Sequence, residues 1–276
     1  EKVDSVYLCC NSSVEACIFE HLEGISKAFG IRLKIIGLHE LALHFSSAGK
    51  VFAKDFLGIA FQTGQVLSKE EFLKQYQKKN LSTPLDNPIL GREHELSGLA
   101  EQLNLHDLII VNGAAGVGKS RLVIEAMDMF INANPEFTPF YIFPKSSEIT
   151  EDLATFLKPD KSYILLIDDA NRQLDNLVKV LEKIVESEIR LKVIITVRDY
   201  AKDEVIKQCG KMETNGFILR KLSDEIIKNI ISQEPFSINE WEIINRIVQI
   251  SNGNPRLAIM SAQIMRSDPD VDLLAD

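Results

Sequence analysis

Residues 113–120 read Gly-Ala-Ala-Gly-Val-Gly-Lys-Ser, and this stretch decides the fold of the chain. It fits the P-loop spacing G-x-x-x-x-G-K-[ST]. The apolar run 108–111 before it has the composition of a buried parallel strand, and residues 121–130 after it have the pattern of an amphipathic helix. Because a P-loop needs a strand, a glycine turn and a helix start in this order, the flanking sequence supports the motif.

The residue types of this loop suit an anionic phosphate ligand. Glycines let the backbone come close to a ligand, so that N–H groups of the loop and the N-terminus of the next helix surround phosphate oxygens. Lys119 can reach the terminal phosphates, and the Ser120 hydroxyl can ligate Mg²⁺. We therefore predict a site for ATP or ADP with Mg²⁺. The residues of the loop and the first residue after it are predicted to form this site: Gly113, Ala114, Ala115, Gly116, Val117, Gly118, Lys119, Ser120 and Arg121.

The second motif is a strongly apolar run, residues 162–169, which ends in Asp168 and Asp169. In an open α/β sheet, ligands lie beyond the carboxyl ends of the strands. Asp168 is therefore predicted to hold Mg²⁺ together with Ser120, and Asp169 to orient or deprotonate an attacking water. Catalysis is assigned to Lys119, Asp168, Asp169 and Arg198.

The third motif is the end of the next apolar strand, residues 192–197. Thr196 and Arg198 emerge there, and by analogy of position they are predicted to contact the terminal phosphate. The alternative is that Arg198 is a surface arginine that pairs with Asp199 or Asp203.

Strands and helices alternate from residue 108 to residue 222, which predicts an α/β fold with a parallel sheet and flanking helices. From residue 223 onward the pattern is helical. The predicted organisation has four parts: a partial α/β region at 1–79, a linker at 80–88, a P-loop ATPase α/β domain at 89–222 and a helical lid domain at 223–276.

The order of these motifs resembles the STAND class of signal-transduction ATPases, an AAA+-like group that includes NACHT and apoptotic ATPases. The similarity runs over residues 89–266. The motifs that carry it are Gly91-Arg92-Glu93, the P-loop, Asp168-Asp169, Thr196-x-Arg198 and Gly253-Asn254-Pro255.

The resemblance implies roles for residues outside the P-loop. Ile89, Leu90 and Arg92 belong to a segment that would pack on the adenine or bond it through its backbone. Thr196 and Arg198 would sense the terminal phosphate. Pro255 would connect the helical domain to the nucleotide, although a proline at the start of a helix is also ordinary helix punctuation.

The beginning of the chain, residues 1–57, has a β-α-β-α pattern. It resembles the C-terminal part of a restriction-endonuclease-like (Mrr-type) domain over about 50 residues. The metal-binding acidic residues and lysine of that family would lie upstream of Glu1, so the chain is expected to be a piece of a longer protein. No nuclease residue is assigned, and a generic α/β fragment is the alternative.

Charge limits the partners of the chain. The formal net charge is −9, and residues 81–276 carry 21 Lys/Arg against 31 Asp/Glu, a balance of −10. Nucleic acid is therefore expected only at the N-terminal region. The chain has neither a signal peptide pattern nor an apolar run of membrane-spanning length, which predicts a cytoplasmic protein without a membrane partner.

These features together predict a STAND-type switch that binds ATP, hydrolyses it slowly and regulates an effector. The effector would be the nuclease-like N-terminal region, in prokaryotic antiviral defence or signalling, and the active state would self-associate or bind a partner protein. The alternatives are a DNA-handling AAA+ ATPase such as an origin-recognition-like loader, an ATP-regulated nuclease, and a binding module without turnover.

Overall fold

A computed structural model describes residues 4–10, 15–40, 64–77, 89–143, 149–186, 189–210 and 212–267. The chain divides into two compact units, residues 1–61 and 62–276. The predicted linker at 80–88 lies outside the described residues, as does residue 41 onward of the second N-terminal helix. None of the described helices combines the length and apolar character needed to cross a membrane.

The first unit contains a parallel pair of strands joined by a helix. Its described elements are β1 (Ser5–Cys9), α1 (Ala16–Ala28) and β2 (Arg32–Ile36). Ser5 of β1 lies opposite Arg32 of β2, and the pairing continues in parallel to the end of both strands. The predicted order of strand, helix and strand is therefore confirmed for these residues.

The second unit alternates strands with helices and ends in three helices. Its described elements, in chain order, are β3 (Val66–Leu67), α2 (Lys69–Gln77), α3 (Glu93–Leu105), β4 (Leu108–Gly113), α4 (Lys119–Ala133), β5 (Phe137–Ile142), α5 (Thr150–Phe156), β6 (Ser162–Ile167), α6 (Leu174–Glu186), β7 (Arg190–Arg198), α7 (Lys202–Cys209), β8 (Asn215–Ile218), α8 (Asp224–Ser232), α9 (Trp241–Ser251) and α10 (Pro255–Ser267). Short 3₁₀ turns follow β6 at Ala170–Arg172 and β7 at Asp199–Ala201.

The six described strands of this unit form one sheet in the order β3-β5-β6-β7-β4-β8. All neighbouring pairs are parallel except β3 and β5, which are antiparallel. The predicted α/β fold with a parallel sheet and flanking helices is thus confirmed, with one antiparallel edge strand. Gly113 lies opposite Arg198, and Ile195 lies opposite Ile167, so the carboxyl ends of β4, β6 and β7 meet at one edge.

Both faces of the sheet are covered, which explains why its central strands are continuous apolar runs. In β4, Leu108 and Ile110 pack into the core on one face, whereas Ile109 and Val111 pack into the core on the other. All four side chains are buried. A period-two polar pattern is absent from this strand because neither of its faces meets water.

Residues 64–77 belong to the second unit, whereas the predicted N-terminal region was 1–79. The reason is pairing: Val66 lies opposite Ile142 of β5. The backbone N–H of Gln65 also donates a 2.8 Å hydrogen bond to Oδ2 of Asp152. A strand of two residues has too little sequence to show a period, so its partner was not predictable.

The helix α2 begins with the capping pair that its sequence suggests. The Ser68 N–H donates to Oε2 of Glu71 at 2.9 Å, and the Glu71 N–H donates to Oγ of Ser68 at 3.3 Å. The side chain of Phe72, one turn into the helix, is 1% exposed and packs into the core beneath the sheet. The start of α2 is therefore stabilised by its capping residues and by the burial of Phe72.

Two elements differ from the expectation for the α/β domain. The sequence predicts a loop at residues 132–139, whereas the strand β5 begins at Phe137. Pro139 pairs with Ile164 of β6 at a point where β3 does not extend along β5, so a residue without an N–H is tolerated at this open edge. The helix α7 was not predicted, because its mostly polar sequence has little apolar period.

The last three helices form a small layer with a core of its own, as predicted. Ile227, Ile231, Ile247 and Ala258 are buried in it. The segment that enters this layer is hydrogen-bonded to the turn between α9 and α10, because the Leu222 N–H donates to the Gly253 carbonyl at 2.8 Å. Residues 268–276 of the predicted lid domain lie outside the described part of the chain.

Candidate nucleotide-binding site

The P-loop connects β4 to α4 with two glycines in left-handed conformations. Gly116 has a φ of 79° and Gly118 a φ of 98°, values that side chains disfavour. Gly118 caps the N-terminus of α4 with no side-chain hydrogen bond. The first-turn N–H groups of a helix lack intrahelical partners, so this end of α4 suits an anion.

Lys119 lies inside the site. Its ammonium donates to the carbonyl oxygen of Gly113 at 2.8 Å and to that of Ala114 at 2.9 Å, and the residue is only 9% exposed. Burial lowers the pKa of Lys119, and the nearby carboxylates of Asp169 and Asp168 oppose this shift. The cation is therefore positioned between the loop and the acidic strand end, where a phosphate chain would meet it.

Ser120 and Asp168 are in direct contact. The Ser120 hydroxyl donates to Oδ1 of Asp168 at 2.7 Å, and the Thr196 hydroxyl donates to the same oxygen at 2.7 Å. Burial raises the pKa of Asp168, and these two hydrogen bonds oppose it. Because Thr196 also accepts the Asp169 N–H at 2.8 Å and is 1% exposed, its hydroxyl holds both aspartates in place.

Asp169 carries a left-handed backbone with a φ of 52° and lies between two arginines. Nε of Arg172 is 3.0 Å from Oδ2, and Nε of Arg198 donates to Oδ1 at 3.4 Å. Arg198 therefore contacts Asp169, whereas the sequence offered Asp199 and Asp203 as its surface partners. Arg172 was not singled out, and its only sequence signal is its position three residues after Asp169.

A cavity of about 610 Å³ lies over these groups, within the volume range of small-molecule sites. The cavity brings together most of the residues that the sequence predicted: Ile89, Leu90, Arg92, Ala115, Gly116, Val117, Gly118, Lys119, Ser120, Arg121, Asp168, Asp169, Thr196, Arg198 and Pro255. Gly113 and Ala114 contribute their carbonyl oxygens to Lys119 and do not line the cavity. Tyr76 and Arg256 also line the cavity, although no sequence motif predicted them.

Arg92 is bound to protein groups. Its guanidinium donates to Oε1 of Glu95 at 2.6 Å, to the Val117 carbonyl at 3.2 Å and to the Arg220 carbonyl at 2.5 Å. The residue is 6% exposed. Arg92 thus connects the P-loop backbone to the segment after β8. The predicted contact with an adenine remains a prediction, and Ile89 and Leu90 are the members of this segment with apolar surface to offer a base.

The lid layer touches the P-loop through the first turn of α10. Nδ2 of Asn254 donates to the Ala115 carbonyl at 2.8 Å, and the Arg256 N–H donates to the Gly116 carbonyl at 3.3 Å. A Cβ added at Gly116 would lie 2.7 Å from Oδ1 of Asn254, so the two segments pack closely. Asn254 and Arg256 were not predicted, although they flank Pro255 in the sequence.

The site suits Mg²⁺ bound with a nucleotide. Ser120 and Asp168 offer a hydroxyl and a carboxylate oxygen, which are hard ligands for this cation. Among the described residues, no group of three or more His, Cys, Asp or Glu side chains could hold a metal. Mg²⁺ is ordinarily bound by one or two carboxylates together with phosphate oxygens and water. A site with few protein ligands agrees with this coordination.

Comparison with known proteins identifies the fold. No protein-family model matches the chain, and no curated protein matches it. The Aeropyrum pernix Orc1 protein, solved in complex with DNA, is 12% identical with a TM-score of 0.50, over 68% of this chain and 63% of that chain. Cdc6p from Pyrobaculum aerophilum is 16% identical with a TM-score of 0.47, over 69% of this chain and 66% of that one.

The branch-migration motor RuvB of Thermotoga maritima is 19% identical with a TM-score of 0.45, over 72% of this chain and 64% of that one. The chain thus spans less than two thirds of the length of the Orc1 and RuvB structures. At these sequence identities the similarity shows only the backbone fold, and this conclusion rests on the match to Orc1. The second unit thus has a backbone fold similar to that of the Orc1 structure.

Proposed function

We propose that this protein binds ATP or ADP with Mg²⁺ and hydrolyses ATP slowly as a conformational switch. The observation that carries the proposal is the Ser120 hydroxyl at 2.7 Å from the Asp168 carboxylate, beside the buried ammonium of Lys119 and open to one cavity. This combination of cation, hydroxyl, carboxylate and helix N-terminus is what a metal-bound triphosphate requires.

Each side chain of the site has its own role in this proposal. Lys119 neutralises phosphate charge, and Ser120 with Asp168 holds the cation. The cation, when bound, supplies further neutralisation of the phosphate oxygens. Asp169, restrained by Arg172 and the Thr196 hydroxyl, orients the attacking water and accepts its proton.

The lid makes the site sensitive to the terminal phosphate. Arg198 lines the cavity from the end of β7, and Arg256 lines it from the first turn of α10. Both cations favour a triphosphate over a diphosphate, so loss of the terminal phosphate weakens a contact between the sheet and the lid. Such a difference in contacts is what shifts a two-state equilibrium.

The resemblance to the STAND class supports a signalling use of this switch, with residues 1–61 as part of the regulated effector. A self-associated or partner-bound active state belongs to the same proposal. A nuclease-like character of the N-terminal region belongs to the same proposal, and the parallel pairing of β1 and β2 agrees with it.

A DNA-handling ATPase is the second candidate, favoured by the backbone likeness to an Orc1 protein solved with DNA. The balance of −10 over residues 81–276 opposes it, because phosphate contacts on DNA require a basic face. A DNA-binding measurement separates the two candidates. Binding of duplex DNA at physiological salt, which weakens as the salt concentration rises, would support a DNA-handling ATPase and is not expected from the switch.

The test of the first candidate separates binding from turnover with Asp169→Asn. Asparagine tolerates the left-handed conformation at this position and cannot accept the proton. We expect unchanged ATP affinity by calorimetry and ATP turnover reduced by roughly 10²-fold. Asp160→Asn, at an exposed site, is the matched control and keeps both values. Wild-type protein that binds ATP without turnover would reduce the proposal to a binding module, and equal turnover in Asp169→Asn would remove Asp169 from the chemistry.

A further inference from the structure

Asn254 uses both ends of its side-chain amide. Its Oδ1 accepts the backbone N–H of Arg256 at 3.1 Å and that of Leu257 at 3.4 Å, so the side chain caps the N-terminus of α10. Its Nδ2 donates to the carbonyl oxygen of Ala115 in the P-loop at 2.8 Å. The residue that caps α10 is therefore also bonded to the loop that is predicted to hold phosphate.

The carbonyl groups of residues 113–117 all accept hydrogen bonds. The donors, in the order of the loop, are Lys119 for Gly113 and Ala114, Asn254 for Ala115, the backbone N–H of Arg256 for Gly116, and Arg92 for Val117. The lid thus supplies the donors for two neighbouring carbonyl groups of this run, and residues of the α/β domain supply the others. These two carbonyl groups keep their donors only while α10 lies against the loop.

The N–H groups of the same two peptide units point away from the lid. In a planar trans peptide, the carbonyl oxygen of one residue and the N–H of the next point in opposite directions. The bond to the Ala115 carbonyl therefore directs the Gly116 N–H away from Asn254, and the bond to the Gly116 carbonyl directs the Val117 N–H away from Arg256. Within the described part of the chain neither N–H has an acceptor, and both residues line the cavity. Such free N–H groups suit the oxygens of an anion.

The lid packs directly on the backbone of the loop. A Cβ added at Gly116 would lie 3.0 Å from Nδ2 of Asn254 and 3.1 Å from Cβ of Arg256. Because no side chain lies between the two segments at this point, a displacement of α10 changes the hydrogen bonds of the loop directly.

We propose that Asn254 is a positioning residue of the phosphate site, through which the lid orients the N–H groups of the P-loop. The inference rests on the proposed nucleotide function and adds a route of regulation to it. Displacement of the lid releases the carbonyl groups of Ala115 and Gly116, and the loop then loses affinity for ATP and ADP alike. The coupling is reciprocal, so phosphate bound in the loop also holds the lid in place. It needs neither a base nor a terminal phosphate.

The experiment measures the affinities of ATP, ADP and inorganic pyrophosphate, each with Mg²⁺, by calorimetry. In Asn254→Ser, the serine still caps α10, but it is too short to bond the Ala115 carbonyl as well. We expect all three affinities to fall by the same factor, roughly two- to tenfold, which is the size of one neutral hydrogen bond. Asn254→Asp is a second variant that keeps the cap and has no amide donor, and it should also weaken all three ligands.

Ser223→Asn is the matched control, because it exchanges the same two residue types at the cap of another lid helix. The Ser223 side chain accepts the Ile226 N–H at the start of α8. Ser223 is exposed and does not line the cavity. This variant should keep the wild-type affinities for all three ligands, and thermal unfolding should show that it and both Asn254 variants are folded.

Four results would overturn the inference. Wild-type affinity of both Asn254 variants for pyrophosphate would show that Asn254 does not position the loop, even if nucleotide binding is weaker. A loss confined to ATP would assign Asn254 to the terminal phosphate alone. An equal loss in Ser223→Asn would make the effect a general consequence of changing a lid cap. Wild-type protein that binds none of the three ligands would overturn the proposed function as well, and that outcome is distinct from the other three.

Discussion

The hydroxyl of Ser120 donates a 2.7 Å hydrogen bond to Oδ1 of Asp168, although β7 lies between the strands that lead to these two residues. The contact is made because the parallel strands end at one edge and α4 begins above it. Thr196, at the end of β7 itself, bonds the same carboxylate oxygen. Two sequence motifs that are far apart in the chain thereby form one polar site.

Asp168→Asn should separate metal binding from stability. The amide oxygen still accepts hydrogen bonds from Ser120 and Thr196, but it is a poorer cation ligand, so the gain in nucleotide affinity that Mg²⁺ provides should fall by roughly tenfold or more. The unliganded variant should be more stable than the wild type at neutral pH, because burial disfavours the ionised carboxylate. Calorimetry and thermal unfolding measure the two effects.

The stability effect of Asp168→Asn has a defined pH dependence. The pKa of Asp168 is raised in the folded protein, so its ionised form costs stability above that pKa. This cost falls as pH drops through the folded pKa and is gone below the unfolded value of about 3.9. The advantage of the variant should therefore shrink as pH is lowered. A variant less stable than the wild type at neutral pH would contradict this account.

Gly116→Ala should disturb the contact between the lid and the P-loop. Alanine at a φ of 79° is strained, and its Cβ would lie 2.7 Å from Oδ1 of Asn254. Gly210→Ala is the control, because it shares a positive φ of 60° but meets no atom within 4 Å. Both variants should lose stability, because a side chain strains the backbone at a positive φ. Only Gly116→Ala should also weaken nucleotide binding, and equal nucleotide affinities of the two variants would argue against a functional lid contact.

Arg92→Lys should show that this arginine positions the P-loop through its shape. A lysine ammonium cannot span Glu95 and the carbonyls of Val117 and Arg220, as the guanidinium does. We expect a loss of about 2–3 kcal/mol in the free energy of unfolding, measured with denaturant, because buried acceptors are left without a donor. Arg220→Lys is the control: its side chain is exposed, and Arg92 contacts only its backbone carbonyl. Its effect should stay within about 0.5 kcal/mol.

The sequence predicted the elements whose signals are local. Apolar residues repeat at the helical period over the thirteen residues 174–186, which predicts a helix there, and α6 has these bounds. The P-loop and the strand before it were predicted from spacing and apolar composition. Asp168 was placed beside Ser120 from the rule that parallel strands end at the ligand edge.

The parts that were not predicted depend on tertiary contacts. The two-residue strand β3 owes its existence to pairing with β5, and Tyr76 reaches the site only because α2 follows that strand. The guanidinium of Arg92 is directed to two carbonyl groups, one of which, at Arg220, is 128 residues away in the chain. Neither kind of contact leaves a period or a motif in the sequence.

The most direct test of the central claim is calorimetric titration of ATP with Mg²⁺ into the wild type, Lys119→Ala and Lys207→Ala. Lys207 is exposed on α7 and serves as the matched control. The account predicts that the wild type and Lys207→Ala bind with equal affinity, and that Lys119→Ala loses roughly 10²-fold or more, because a buried charge-assisted contact to phosphate is removed. Equal ATP affinity of Lys119→Ala and the wild type would contradict it.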